Sequence, residues 1–199
     1  MEQGHDFDFE AFFRDVVGID NAEVLSTLSA SATLVRYRKG DLVMRAGEVL
    51  DRVGFLVSGV VRCFLIDSSG RDVTDCLVAR PGVVLAPSPE LTKPSPDSVE
   101  LLAESKIVFV PLAVVGQLLS TSLAANQLYA RMVGEAWREH WEVRRVVSQL
   151  RARDRYLWFV EKNPGLMELV PNKYVASLLG MTPVTLSRLR SDLRNEGVQ

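Results

Sequence analysis

Histidine and cysteine are both scarce in this chain of 199 residues, two of each, and the scarcity removes whole classes of chemistry. A metal-dependent dioxygenase needs a cluster of histidines and carboxylates, whereas His5 and His140 stand in separate, helix-like segments. With no histidine between residues 33 and 110, a Ser/His/Asp set has no base there. Two cysteines are too few for a four-cysteine iron–sulfur cluster within one chain. Cys63 and Cys76 each sit in an apolar, strand-like run, which reads as free thiols rather than a disulfide. The phosphate loop G-x-x-x-x-G-K is missing as well. No enzyme activity, metal or cofactor is therefore expected. No apolar run approaches the roughly 18 residues that cross a bilayer, and the first ten residues, MEQGHDFDFE, are acidic with no apolar signal core. A cytoplasmic protein without a membrane partner is expected.

Charge is nearly balanced overall, at −2, but it is unevenly placed. Residues 138–199 hold 11 Lys+Arg against 7 Asp+Glu, whereas residues 1–137 hold 12 against 18. One end is basic enough for phosphate contacts, and the acidic remainder disfavours wrong-face binding to a polyanion.

The texture of the chain changes along its length. Residues 9–17 and 22–28 carry apolar side chains at helical spacing. From 33 to 110 short β-rich runs are broken by Gly40, Gly47, Gly59, Gly70 and Gly82, the turn rhythm of an antiparallel sandwich or barrel. Asp67-Ser68-Ser69-Gly70 reads as a hairpin turn. Residues 86–97, with four prolines, must be irregular, and 99–110 reads as one further strand. Pro111 opens a helix to about residue 119, and Ser120, Thr121 and Ser122 are candidate caps for the next.

That next helix is long. Tyr129, Val133, Ala136, His140, Val143, Val147 and Leu150 recur at alternating spacings of four and three, the heptad seam of a parallel helix pair and so of a homodimer. A single-chain core helix shows the same stripe. Trp137 and Trp141 lie off the seam and are expected to pack against the barrel. His140 is the seam's polar member: a register-fixing residue, or alternatively a pH-sensitive group or a metal ligand. Residues 151–162 continue as a helix, closed by Asn163-Pro164-Gly165.

Residues 172–192, NKYVASLLGMTPVTLSRLRSD, describe two helices meeting at a tight turn. Val175, Leu179, Leu186 and Leu189 face inward, Ala176 is small where backbones approach, and Gly180 supplies the turn. Thr182 caps and Pro183 fits the first position of the second helix. Val184, Thr185, Ser187, Arg188 and Ser191 are left outward, as a helix lying in a DNA major groove requires. An ordinary helical hairpin shares the apolar pattern.

The order of helices, glycine-punctuated roll, long heptad helix and helix-turn-helix resembles the Crp/Fnr family of bacterial transcription regulators over nearly the whole chain. The resemblance is carried by Tyr37-Arg38-Lys39-Gly40-Asp41, Arg45-Ala46-Gly47-Glu48, residues 55–62 (FLVSGVVR), Arg80-Pro81-Gly82 and residues 173–190. It implies an α+β architecture: an N-terminal antiparallel β-roll of jelly-roll type with flanking helices (1–122), a long dimerisation helix (123–150) and a C-terminal helix-turn-helix domain (151–199). Too few residues follow the second helix for a full β-hairpin wing. In the family's cyclic-nucleotide binders a Gly-Glu pair meets the ribose and an Arg followed by Ser or Thr holds the phosphate. The matching stretches here read Ala86-Pro87 and Ser95-Pro96, and between Lys93 and Lys106 there is no cation. Asp97 and Glu100 add repulsion instead, so cAMP is not expected to bind.

The resemblance further implies a homodimer on a pseudo-palindromic double-stranded DNA operator, with a possible small-molecule effector in the roll. Arg188 matches the base-reading arginine and suits a guanine edge, and Val184 replaces a common acidic residue and suits a thymine methyl. Thr182, Thr185 and Ser187 are placed for phosphates or the groove edge, and Lys173 for phosphate. The alternative is a sensor or interaction module that has lost DNA binding.

Overall fold

A computed structural model describes residues 7–86 and 88–197; His5 and Pro87, singled out above, lie outside them. Asp8 accepts a hydrogen bond from the Ala11 amide and starts α1 (Phe9–Ala11), which runs on as a π-helical segment (Phe12–Val17). Gly18, in left-handed conformation, ends it. Asn21 caps α2 (Ala22–Ser31) in the same way, its side chain taking the Val24 amide. Eight strands follow: β1 (Thr33–Tyr37), β2 (Leu42–Met44), β3 (Arg52–Ser58), β4 (Val61–Ile66), β5 (Asp72–Val78), β6 (Val84–Leu85), β7 (Ser98–Leu101) and β8 (Ser105–Pro111). Two four-stranded sheets result, ordered β1-β8-β3-β6 and β2-β7-β4-β5, with antiparallel pairing throughout. This is the expected α+β roll.

The inner faces of the sheets enclose Met44, Leu56, Val61, Val99, Leu101, Ile107 and Phe109. The first sheet is covered outside as well. Val53, Phe55, Val108 and Val110 point the other way, into a second core with Phe12, Phe13, Val24, Leu28 and Leu118. Successive strand residues face opposite sides, so burial on both faces explains the unbroken apolar runs in β3 and β8. The turn from Asp67 to Gly70 forms as expected, the Asp67 carboxylate accepting from the Ser69 and Arg71 amides. Its hydrogen bonds with Ser69 and Arg71 hold that carboxyl well below the usual range.

Residues 99–110 are two strands, not one. A turn at 102–104 folds β8 back, and Leu102 is buried within it. The turn presses on Gly59, where a Cβ would come within 2.8 Å of the Ser105 Cα. Gly59 also has φ +115°, so only glycine fits.

Pro111 ends β8 and caps α3 (Leu112–Thr121), and Ser122 takes the Ala125 amide to start α4 (Leu123–Gln149). At 27 residues α4 is about 40 Å long. It is followed by α5 (Ala152–Lys162), α6 (Leu166–Leu169), α7 (Asn172–Leu178) and α8 (Pro183–Asn195). The third core joins these helices to the roll: Phe159, Leu166, Val175, Ala176, Leu179 and Leu186 pack with Val60 and Leu102. Among the described residues no helix is long and apolar enough to cross a membrane.

Candidate nucleic-acid interface and roll cavity

Helices α7 and α8 form the helix-turn-helix. Val175, Ala176, Leu179 and Leu186 are fully buried at their crossing, and Gly180 turns the chain at φ +61°. Arg155 fastens the turn by donating to the carbonyls of Leu179 (2.8 Å) and Gly180 (3.2 Å). The Thr182 hydroxyl accepts from the Thr185 amide at 3.1 Å, and Pro183 occupies the first turn. Val184 is 59% exposed, with Ser187, Arg188 and Ser191 exposed beside it. Lys173 is exposed at the start of α7, its ammonium 4.6 Å from the Tyr174 ring centre. Thr185 is half-buried, and its hydroxyl shares a 2.9 Å hydrogen bond with that of Thr182. Thr182, Val184, Ser187 and Arg188 thus form one outward strip, while Thr185 serves the cap.

Arg62 is the contact that sequence reasoning passed over. Its side chain is 1% exposed, yet it projects from β4 toward α7. The guanidinium donates to Thr74 (3.0 Å), to Glu100 (3.1 Å) and to Asp72, and its carbon lies 3.7 Å from the Tyr174 ring centre. Nearby the Thr74 amide donates to the Ser177 hydroxyl at 2.9 Å. The β4–β5 hairpin therefore grips the first helix of the helix-turn-helix. Its signal was there in an arginine set among apolar residues of a strand.

Within one chain the heptad seam of α4 is divided: Tyr129, Val133, Val143 and Val147 are half-buried, whereas Ala136, His140 and Leu150 are exposed. Tyr129, Val133, Ala136 and His140 line an apolar cavity of about 290 Å³, walled opposite by Leu28, Val53, Phe55 and Leu118. The Tyr129 hydroxyl donates to the Pro89 carbonyl. Val143 packs in the third core, and Val147 lies against Gly180, where an added Cβ would meet its Cγ1 at 3.0 Å. Leu150 is 37% exposed. His140 faces Asp75, with Nδ1 3.7 Å from the carboxylate. Trp137 and Trp141 are 67% and 56% exposed and stack on each other at 6.2 Å, and only Trp137 borders the cavity against the roll. The next row round the helix, Ala130, Gly134, Trp137, Trp141, Arg144 and Ser148, keeps the same alternation of four and three. In this row Gly134 is half-buried and the others are exposed, so it continues the solvent-facing side begun by Ala136, His140 and Leu150.

In the roll, Asp97 is 7% exposed, and its Oδ1 has no hydrogen-bond partner among the described residues. Burial pushes its carboxyl up, with Asp75 adding to the rise and His140 opposing it. Lys93 is engaged by Glu90 at 2.7 Å. Among the described residues no three His, Cys, Asp or Glu side chains are placed to hold a metal ion.

Residues 34–122 match the family described as the cyclic nucleotide-binding domain. No curated protein shows significant sequence similarity to the chain. Solved structures share its fold at low identity. FixK2 from Bradyrhizobium japonicum superposes with a TM-score of 0.72 at 19% identity, over 83% of this chain and 86% of that one. A putative transcriptional regulator of the Crp/Fnr family from Eubacterium rectale gives 0.70 at 12% identity, over 89% and 85%. The c-di-GMP-responsive global regulator CLP of Xanthomonas campestris gives 0.68 at 15%, over 89% and 93%.

Proposed function

We propose that this chain, which carries a cyclic nucleotide-binding domain and has the fold of Crp/Fnr transcription regulators, is a homodimeric, sequence-specific DNA-binding regulator. The observation that carries the reading is the exposed strip on α8. Val184, Ser187 and Arg188, exposed together on the outer face of α8, have a use in a major groove and none in packing. Arg188 reads a guanine edge through two parallel hydrogen bonds, Val184 touches a thymine methyl, and Lys173, Thr182 and Ser187 meet phosphates.

The dimer forms through α4. The partner helix meets the seam of Tyr129, Val133, Ala136, His140, Val143, Val147 and Leu150, of which Ala136, His140 and Leu150 are exposed, together with the adjoining outward row. There Ala130 and Gly134 permit close approach, and Trp137 and Trp141 bury the most area. A Cβ added at Gly134 meets nothing within 4 Å, so Gly134→Arg is tolerated by the single chain and blocks only the pairing. Gel filtration with light scattering is expected to give a dimer for the native chain and a monomer for Gly134→Arg.

The effector is an apolar small molecule in the cavity between α4 and the roll, rather than a cyclic nucleotide. Among the described residues the Ser88 and Tyr129 hydroxyls, the Trp137 indole and His140 interrupt that cavity's apolar lining, and elsewhere in the roll the buried Asp97 carboxylate disfavours a phosphate. Calorimetric titration with cAMP is expected to give no binding. Selection of binding sites from random duplexes tests the DNA reading. A two-fold symmetric consensus is expected, relaxed at one position per half-site by Arg188→Ala; no enrichment of any sequence would refute it.

A further inference from the structure

Cys63 and Cys76 face each other across the β4–β5 hairpin as Cα partners of the antiparallel register. Both thiols are free and partly exposed. Residues so paired have Cα atoms about 4.5–5.5 Å apart, inside the roughly 4.4–6.8 Å that a disulfide spans. Their side chains leave the sheet on the same face, as directly opposed residues of an antiparallel pair do. The facing Cys76 side chain, together with burial, pushes the Cys63 thiol up. Cys63 therefore holds its proton firmly.

The surroundings make the pair more than two packed thiols. Immediately past it the ladder slips, Phe64 pairing with Thr74, so that Asp75 is an extra, bulged residue beside Cys76. A bulge bends and twists its strand. The opposite face of the same hairpin holds α7, through Arg62 against Tyr174 and the Thr74 amide on Ser177. Arg62 is the neighbour of Cys63, and Thr74 stands two residues from Cys76.

We propose that Cys63 and Cys76 are an oxidisable dithiol, converted by hydrogen peroxide or an organic peroxide to an intrachain disulfide that loosens the hairpin's grip on α7. The Cys76 sulfur, as thiolate, attacks a peroxide oxygen; the O–O bond breaks, the departing hydroxide takes up a proton as water, and Cys76 is left as a sulfenic acid. The Cys63 sulfur gives up its proton and attacks the sulfenic sulfur. The S–S bond forms, the S–O bond breaks, and the hydroxide leaves as a second water. Two electrons pass from the thiols to one peroxide. The sulfurs close to about 2.05 Å, and the broken register beside them lets the strand shift rather than resist. The shift displaces Thr74 and Arg62 from Ser177 and Tyr174. This inference concerns the roll's chemistry and does not depend on which DNA sequence is read.

The test is peptide mapping of the full chain after peroxide treatment, together with amide hydrogen exchange. A Cys63–Cys76 linked peptide is expected, reversed by dithiothreitol and abolished by Cys63→Ser or Cys76→Ser, with exchange in residues 172–178 several-fold faster in the oxidised chain. Oxidation of the thiols singly to sulfinic acid, with no linked peptide, would overturn the proposal. A linked peptide with unchanged exchange in 172–178 would overturn the coupling to α7.

Discussion

Arg62→Met is the perturbation that reports most directly on how the roll holds the helix-turn-helix. The native side chain is 1% exposed and binds two carboxylates of unequal burial, Asp72 at 45% exposed and Glu100 at 21%. Methionine fills a similar volume and removes the charge, so the loss is electrostatic rather than a cavity. Breaking a buried ion pair costs roughly 3–5 kcal/mol when the remaining charge stays dry. Asp72 can recover water, which leaves Glu100 as the main penalty and puts the expected loss near the lower end, about 3 kcal/mol. Part of that is the stacking on Tyr174, at a 3.7 Å separation and out of solvent, where a cation–π contact contributes about 2 kcal/mol. Urea unfolding of the native chain, Arg62→Met, Tyr174→Leu and the double variant closes the cycle. Coupling of about 1–2 kcal/mol between the two sites is expected. A single-variant loss below about 1 kcal/mol, or coupling within about 0.3 kcal/mol of zero, would refute the view that Arg62 joins the roll to α7.

Gly180→Ala places a Cβ at φ +61° and 3.0 Å from Val147, so a loss of about 1–2 kcal/mol from the left-handed backbone alone is expected in thermal unfolding; no change would mean that the turn relaxes freely. Thr182→Ala removes the α8 cap at the Thr185 amide and is expected to cost about 1 kcal/mol in the same assay. Asp97 supplies a pH signature. Its folded carboxyl is raised above the unfolded value of about 3.9, so the folded state binds the extra proton and stability falls as pH rises from there through the raised value. Asp97→Asn removes that penalty: its stability relative to the native chain should increase between about pH 4 and pH 7 in urea titrations, and a constant difference would contradict the assignment.

The helix-turn-helix was legible because each of its signals is local. Gly180, Thr182, Pro183 and the leucines act within a few residues of one another, and the structure places them as their chemistry requires. The glycine rhythm of the roll was legible for the same reason, every one of those glycines having positive φ at a turn. Relations between distant segments were not. The turn at 102–104 was hidden because Leu102 is apolar, and it is apolar because it serves a core shared with α5 to α8. On α4 two neighbouring rows both repeat at four and three. Periodicity alone cannot say which faces the roll, so Trp137 and Trp141 were placed inward and stand outward. Arg62 and Arg155 read as surface charges until residues far along the chain meet them.

A salt titration of binding to the duplex upstream of the chain's own gene tests the central claim most directly. A regulator neutralising phosphates through Lys173 and α8 predicts affinity falling steeply and linearly in log–log form with salt, with a shallower slope for Lys173→Ala. Binding that is absent, or that ignores salt, would contradict a DNA-reading function for this chain.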